Sequence, residues 1–203
     1  MSKIEIFNGN ESRSDYKKIA FLHKQAISGG FLASLDYHVL VELYRAIAKS
    51  PHSLLWVSLG DGGEIEGFIA LSFSTSKLYK EFIIKRSLLV LPYLVSRILS
   101  IRFIRKIFEV LVYPVNSDTI PMPETELLNF CVDESLRGKG TGSRLFSRVE
   151  DELRSRQIIS LKIVTGENQT GAQNFYEKRG AHLLTKHEIH KGSVSYIYQY
   201  DIN

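Results

Sequence analysis

The stretch Glu126-Leu127-Leu128-Asn129-Phe130-Cys131-Val132, running through Asp133-Glu134-Ser135-Leu136 into Arg137-Gly138-Lys139-Gly140-Thr141-Gly142, decides the fold. Its first part reads as a strand, and an amphipathic helix pattern follows its last part. A glycine-rich turn from a strand into a helix exposes several backbone N–H groups in one small concavity. The positive end of the helix dipole points the same way, so such a loop suits a phosphate or pyrophosphate. Glycines let the backbone approach the anion and adopt positive φ. The order is Arg-x-x-Gly-x-Gly, which is neither the dinucleotide fingerprint nor a phosphate loop ending in Gly-Lys-Ser/Thr. Taken alone, a basic glycine loop with no ligand explains it equally well.

The downstream flank adds a second unit of the same kind. Leu161-Lys162-Ile163-Val164-Thr165 alternates and is β-branched, as in a buried strand. Gly166-Glu167-Asn168-Gln169-Thr170 reads as a turn with a helix start, and Gly171 to Arg179 as a short helix closed by Gly180.

Together the two blocks resemble the GNAT (GCN5-related N-acetyltransferase) superfamily. Its acetyl-CoA pyrophosphate loop has the Arg-x-x-Gly-x-Gly form. Its next strand-turn-helix carries an asparagine, then Phe/Leu-Tyr and a glycine, matched here through Ala172, Phe175, Tyr176 and Gly180. Two positions differ: Asn168 stands four residues before Ala172 rather than three, and Ala181 replaces an aromatic residue. The resemblance implies an α/β (α+β) mixed sheet with splayed central strands, and acetyl-CoA as co-substrate. It also implies cofactor-binding roles for Phe130, Cys131, Val132, Arg137, Gly138, Lys139, Gly140, Thr141, Gly142, Asn168 and Phe175. Backbone groups of Phe130, Cys131 and Val132 would hold pantetheine like an extra strand. Tyr176 would be the acid that protonates the leaving thiolate, a role suited to a phenol that stays protonated at neutral pH.

The 203 residues suggest a single domain over 1–203 with an insertion at about 76–121. The single cysteine, Cys131, excludes an intramolecular disulfide and a cysteine-based metal site. The N-terminal residues show no signal-peptide core, so the cytoplasm is the expected compartment. The charge is uneven. Between Ser76 and Tyr113 eight bases face two acids, a balance of +6 within a chain of net charge +4. Basicity confined to one element is no footprint of nucleic-acid binding, and none is expected.

Elsewhere the pattern predicts a strand at 3–7, and a helix from Asp15 to Ser28 capped by Ser14 and ended by Gly29-Gly30. A second helix is expected from Ser34 to Lys49, with Leu35, Val39, Leu43 and Ile47 inward. A hairpin over 54–73 turns at Asp61-Gly62-Gly63, and a last strand pair turns at Lys191-Gly192. The order β-α-α-β-β-insertion-β-α-β-α-β-β is the GNAT order once the insertion is removed.

Acyl transfer to an amine needs a deprotonated amine, donors for the developing oxyanion, a proton for the thiolate and close positioning. It requires no metal and no covalent intermediate. For the base, Glu126, on the strand parity of Leu128, Phe130 and Val132, is a candidate, as are Glu124, Asp36 and His38 on neighbouring elements; each also reads as a solvated surface charge, and ordered water can serve instead. Cys131 reads as a buried small hydrophobe rather than a nucleophile. His23, His52, His182, His187 and His190 show no metal spacing and read as surface or rim residues.

In the insertion, Pro92 is expected to break the segment into two pieces. From Arg97 onward, Arg102, Arg105, Lys106 and Glu109 share one helical face, and Leu99, Phe103, Ile107, Val110 and Leu111 the other. A lid over the acceptor site is the favoured reading. A homodimer contact and a peripheral membrane-surface helix are the alternatives. The expected activity is N-acetylation of a primary amine of a small molecule, such as an amino sugar or nucleotide-linked amino sugar. Gly30-Phe31-Leu32 and Leu43-Tyr44 are similar, loosely, to family members of bacterial polysaccharide pathways. The competing class is a non-catalytic or membrane-surface GNAT-fold module that binds CoA.

Overall fold

In the computed structural model, which describes residues 2–27, 31–98, 121–190 and 193–202, one mixed sheet of seven strands runs β1-β2-β3-β4-β5-β7-β6. The strands are β1 (Lys3–Phe7), β2 (Ser53–Leu59), β3 (Ile65–Ser72), β4 (Glu126–Val132), β5 (Ser160–Gly166), β6 (His182–His190) and β7 (Ser193–Asp201). The helices are α1 (Arg13–Ala26), the single turn α2 (Phe31–Ser34), α3 (Tyr37–Lys49), α4 (Thr75–Ile98), α5 (Thr141–Ser155) and α6 (Thr170–Lys178).

Strand alternation builds a core on each side of the sheet. Leu55, Val57, Phe68, Ala70 and Cys131 point to a cluster with α1, α3 and the buried Leu78 and Val90 of α4. Trp56, Ile69, Leu71, Leu127, Leu161, Ile163 and Tyr198 point the other way, to Leu145, Phe146, Val149 and Leu153 of α5 and Tyr176 of α6. Val39, Leu43 and Ile47 of α3 are buried as the helical spacing predicts, and Leu35 is buried too, though it lies between α2 and α3 rather than on the expected helix.

Both N-terminal caps shift by two residues. Ser12, not Ser14, caps α1 in a reciprocal box with Asp15: the Ser12 oxygen accepts from the Asp15 N–H, and the Asp15 carboxylate accepts from the Ser12 N–H. Asp36, not Ser34, caps α3 by accepting from the His38 N–H at 2.8 Å. Gly29-Gly30 and Lys191-Gly192 lie outside the described residues, as does 99–120 with its expected amphipathic faces.

Pro92 does not divide the insertion, because α4 runs unbroken through it. The missing Pro92 N–H leaves the Leu88 carbonyl over, at an 85% exposed residue where water can reach it. The inner face of α4 is tied to α3 and the segment after it. Arg86 pairs with the buried Glu42 at 3.1 Å, and the Ser50 hydroxyl donates to Glu81 at 2.6 Å. The ring of Tyr93 stacks on His38 at 4.5 Å. Among the described residues no helix is long and apolar enough to cross a membrane.

His23 departs from the surface reading. It is fully buried, and its Nδ1 lies 2.5 Å from the Tyr44 hydroxyl. Charging the ring would bury a cation, so burial, followed by the Lys24 charge, pushes its pKa down to about 4. A depressed histidine pKa means that the unfolded chain binds the extra proton first. Stability is therefore retained above the ordinary histidine value of 6.5 and lost as pH falls from there toward about 4. The full loss amounts to about 3 kcal/mol. His23→Gln is expected to flatten urea-melt stability against pH in that window, relative to wild type. An unchanged slope would remove His23 as its source.

Candidate functional site

The site begins where the sheet comes apart. β4 and β5 pair in parallel only at Glu126↔Lys162 and Leu127↔Ile163. Beyond that, β4 continues on β3 as far as Val132, while β5 continues on β7 as far as Gly166. Leu128 is an extra residue on β4: Leu127 opposes Leu71 and Asn129 opposes Ala70. Such a bulge bends and twists its strand, and here it aims the end of β4 away from β5.

The bulge also corrects the parity of Glu126. Phe130 and Val132 pack with α5 and α6, whereas Leu128 and Cys131 pack with α1 and α3. Glu126 lies opposite Ser72, on the face of Ala70, and so away from Phe130 and Val132. Its Oε2 is 2.9 Å from Lys162 Nζ and accepts from Thr75 Oγ1 at 3.2 Å. The other candidate bases are placed differently. Asp36 is the α3 cap, His38 is stacked on Tyr93, and Glu124 is exposed. Only Glu126 stands at the root of the opening.

Past Val132, Asp133 accepts from the Ser135 N–H at 2.9 Å and its hydroxyl at 2.6 Å, starting a single 3-10 turn, Glu134–Leu136. Those hydrogen bonds hold the Asp133 carboxyl below its ordinary value. Arg137, Gly138, Lys139 and Gly140 follow, exposed, and Thr141 is buried. Gly140 is the N-cap of α5 at φ 85°, a left-handed conformation, and contributes no capping side chain. The first-turn N–H groups of α5 thus meet no cap from their own loop, and the basic Arg137 and Lys139 stand beside them. Gly142 is small for another reason: an added Cβ would lie 3.2 Å from Phe130 Cζ. It lets α5 close on β4. Arg144, which sequence reading passed over, donates to Thr141 at 3.1 Å and to Ser2 at 2.5 Å.

Across the opening, α6 carries Phe175 and Tyr176. Their rings lie 5.4 and 6.4 Å from Phe130, so residues of the two separated strand-helix units meet there. Gly180, at φ 96°, ends α6, with its N–H on the Glu177 carbonyl and the Ala181 N–H on the Tyr176 carbonyl. Tyr176 is buried, and burial, then the neighbouring Cys131, raises its pKa, so the phenol keeps its proton at neutral pH. The Cys131 thiol is itself pushed up to about 12 by burial and is a neutral core group. Asn168 is exposed in the turn before α6. Gln169 and Gln173 shape that turn instead, Gln169 accepting from the Gly166 N–H and Gln173 donating to the Gly166 carbonyl, each at 2.9 Å.

Residues 98–181 match the family model described as Acetyltransferase (GNAT) family. That segment, from before β4 through the glycine loop to the end of α6, is similar to the GNAT family. Its fold is shared with the ribosomal-protein-S18-alanine N-acetyltransferase of Escherichia coli, at TM-score 0.59 and 13% identity, covering 100% of this chain and 95% of that one. Ard1 from Thermoplasma volcanium aligns at TM-score 0.61 and 17% identity over 100% and 98% of the two chains. A candidate streptothricin acetyltransferase from Bacillus anthracis, solved in complex with acetyl coenzyme A, aligns at TM-score 0.50 and 16% identity over 79% and 68%. No curated protein sequence matches the chain significantly.

The residues at this opening fit acetyl-CoA: an uncapped helix start beside two exposed bases suits a pyrophosphate, and a parted strand edge suits an amide-bearing arm. Charge at the loop is the testable element. Gly140→Asn and Gly140→Asp place similar side chains at the same left-handed position, one neutral and one anionic. CoA is expected to raise the melting temperature of wild type and, less strongly, of the Asn variant, and to leave the Asp variant unshifted. Equal shifts in both variants would separate the loop from the pyrophosphate.

Proposed function

We propose that this chain transfers acetyl directly from acetyl-CoA to a primary amine of a small molecule of the amino-sugar or nucleotide-linked amino-sugar class, in the cytoplasm. The observation that carries this reading is the opening between β4 and β5, bounded by the uncapped start of α5 on one side and by Tyr176 on the other. The thioester supplies the activated acetyl group. Arg137, Lys139 and the N–H groups of the loop from Arg137 to Gly142 would hold the pyrophosphate. The unpaired edge of β4 at Phe130, Cys131 and Val132 would align the arm.

Tyr176 holds a proton for the departing sulfur. Its raised pKa keeps that proton in place up to its ordinary value of 10.0 and beyond. Glu126 is the group best placed to receive the amine's proton, with Lys162 and Thr75 fixing its carboxylate. The insertion supports an acceptor larger than a free amino acid, because α4 reaches the opening: Thr75 contacts Glu126, and the raised pKa of Tyr79 owes its second contribution to the Glu126 charge.

An acceptor screen with acetyl-CoA, reading free thiol and acetylated product, tests the reaction. Product from an amino-sugar acceptor is expected. CoA binding with turnover on no amine would favour the binding-module alternative. With an acceptor in hand, Tyr176→Phe should lower kcat by ~10²–10⁴ with CoA binding retained, and unchanged turnover would end the acid role. Glu126→Gln alone leaves Lys162 buried without its partner, which can cost ~3–5 kcal/mol of stability. The double variant Glu126→Gln/Lys162→Met relieves that cost. If Glu126 is the base, the double variant recovers its melting temperature and not its turnover.

A further inference from the structure

The outer face of α4 is the largest feature that the proposed reaction leaves unused. Its inner face already belongs to the core through Leu78 and Val90. Yet Ile84 and Leu88 are 78% and 85% exposed, and Leu91, one turn further on, is half exposed. These three lie four and three residues apart, so they form one stripe along the helix. Lys77 and Lys80 continue the same stripe toward the helix start, at the same spacing. The only acid of α4, Glu81, is engaged by Ser50 and Lys85 and turned off the stripe. A helix apolar on both faces is not completed by burying one of them.

The geometry points to a bilayer surface bearing anionic headgroups as the partner of this face. An apolar ridge with lysines at one end is what an interfacial helix presents: the leucines enter the headgroup–acyl boundary, and the lysine stems lie along it with their ammonium groups among the phosphates. Charge selects this partner over a second copy of the chain. α4 itself, Thr75–Ile98, carries five bases and one acid, so a two-fold contact through it would bring two basic helices together. The cytoplasmic leaflet is anionic and attracts each such base.

Cosedimentation of the full-length protein with vesicles of phosphatidylcholine and phosphatidylglycerol tests the assignment, against vesicles of phosphatidylcholine alone. Binding to the anionic vesicles is expected, weakened at high salt. Lys77→Ser/Lys80→Ser should weaken it about fivefold per lysine. Ile84→Ser/Leu88→Ser/Leu91→Ser should weaken it about tenfold or more. These side chains are exposed, so both variants should keep the wild-type melting temperature and its CoA-induced shift. A change there would replace the triple variant with Leu88→Ser alone. No binding by wild type, binding equal on neutral vesicles, or binding untouched by the α4 substitutions would each overturn the assignment. So would a concentration-dependent dimer in light scattering that the triple variant abolishes, since the face would then belong to a second copy.

Discussion

A strand that leaves its neighbour in mid-sheet strands its own hydrogen-bonding groups, and that constraint organises this molecule. β4 keeps only two paired residues with β5 before the two separate. Each buried N–H or C=O left over costs ~1–3 kcal/mol unless water or a ligand takes it. The fold tolerates the opening because each strand is secured on its other side, β4 by β3 and β5 by β7. The Glu126–Lys162 pair closes its root. The bulge at Leu128 turns the separation into a defined angle instead of a fray. The elements around the opening are then placed by this parting. The loop and α5 leave from the end of β4, Tyr176 arrives on the helix that follows β5, and Phe130 meets it across the gap.

Burial holds several titratable groups of the core neutral. Tyr176, Tyr44 and Tyr79 are each raised first by desolvation, and Cys131 and His23 are likewise held neutral. Glu126 and Lys162 are the contrasting case, two ionisable groups at 2.9 Å that satisfy each other, with Thr75 on the carboxylate. A buried phenol and a paired carboxylate therefore flank one opening.

The order of elements along the chain and the inward residues of α3 were legible because strand alternation and helical periodicity are local signals, and here the packing obeyed them. The loop was legible because its glycines and bases are contiguous. Three things were not. The caps at Ser12 and Asp36 lost out to neighbouring serines with similar propensity, which only the actual capping hydrogen bonds separate. The parity of Glu126 was misread because a bulge adds one residue without any sequence mark. Lys162 carried a usable clue that went unread: a lysine inside an apolar strand must find a partner when it is buried. His23 offered no such clue, since its partner Tyr44 lies on another helix.

The insertion joins these threads physically. A short turn between β3 and β4 would leave Glu126 held by Lys162 alone; α4 adds Thr75 to the carboxylate and Tyr79 to its surroundings. The same helix is locked to α3 by Arg86–Glu42 and by the His38–Tyr93 stack. The carboxylate, the helix and the N-terminal layer are thus one mechanical unit, while the outer ridge of that unit stays apolar and exposed. A surface that seats the ridge would act on the acceptor side of the opening and not on the glycine loop, which leaves from the far end of β4. Under the proposed function, recognition of the acceptor and binding of the cofactor would then lie at opposite ends of one strand.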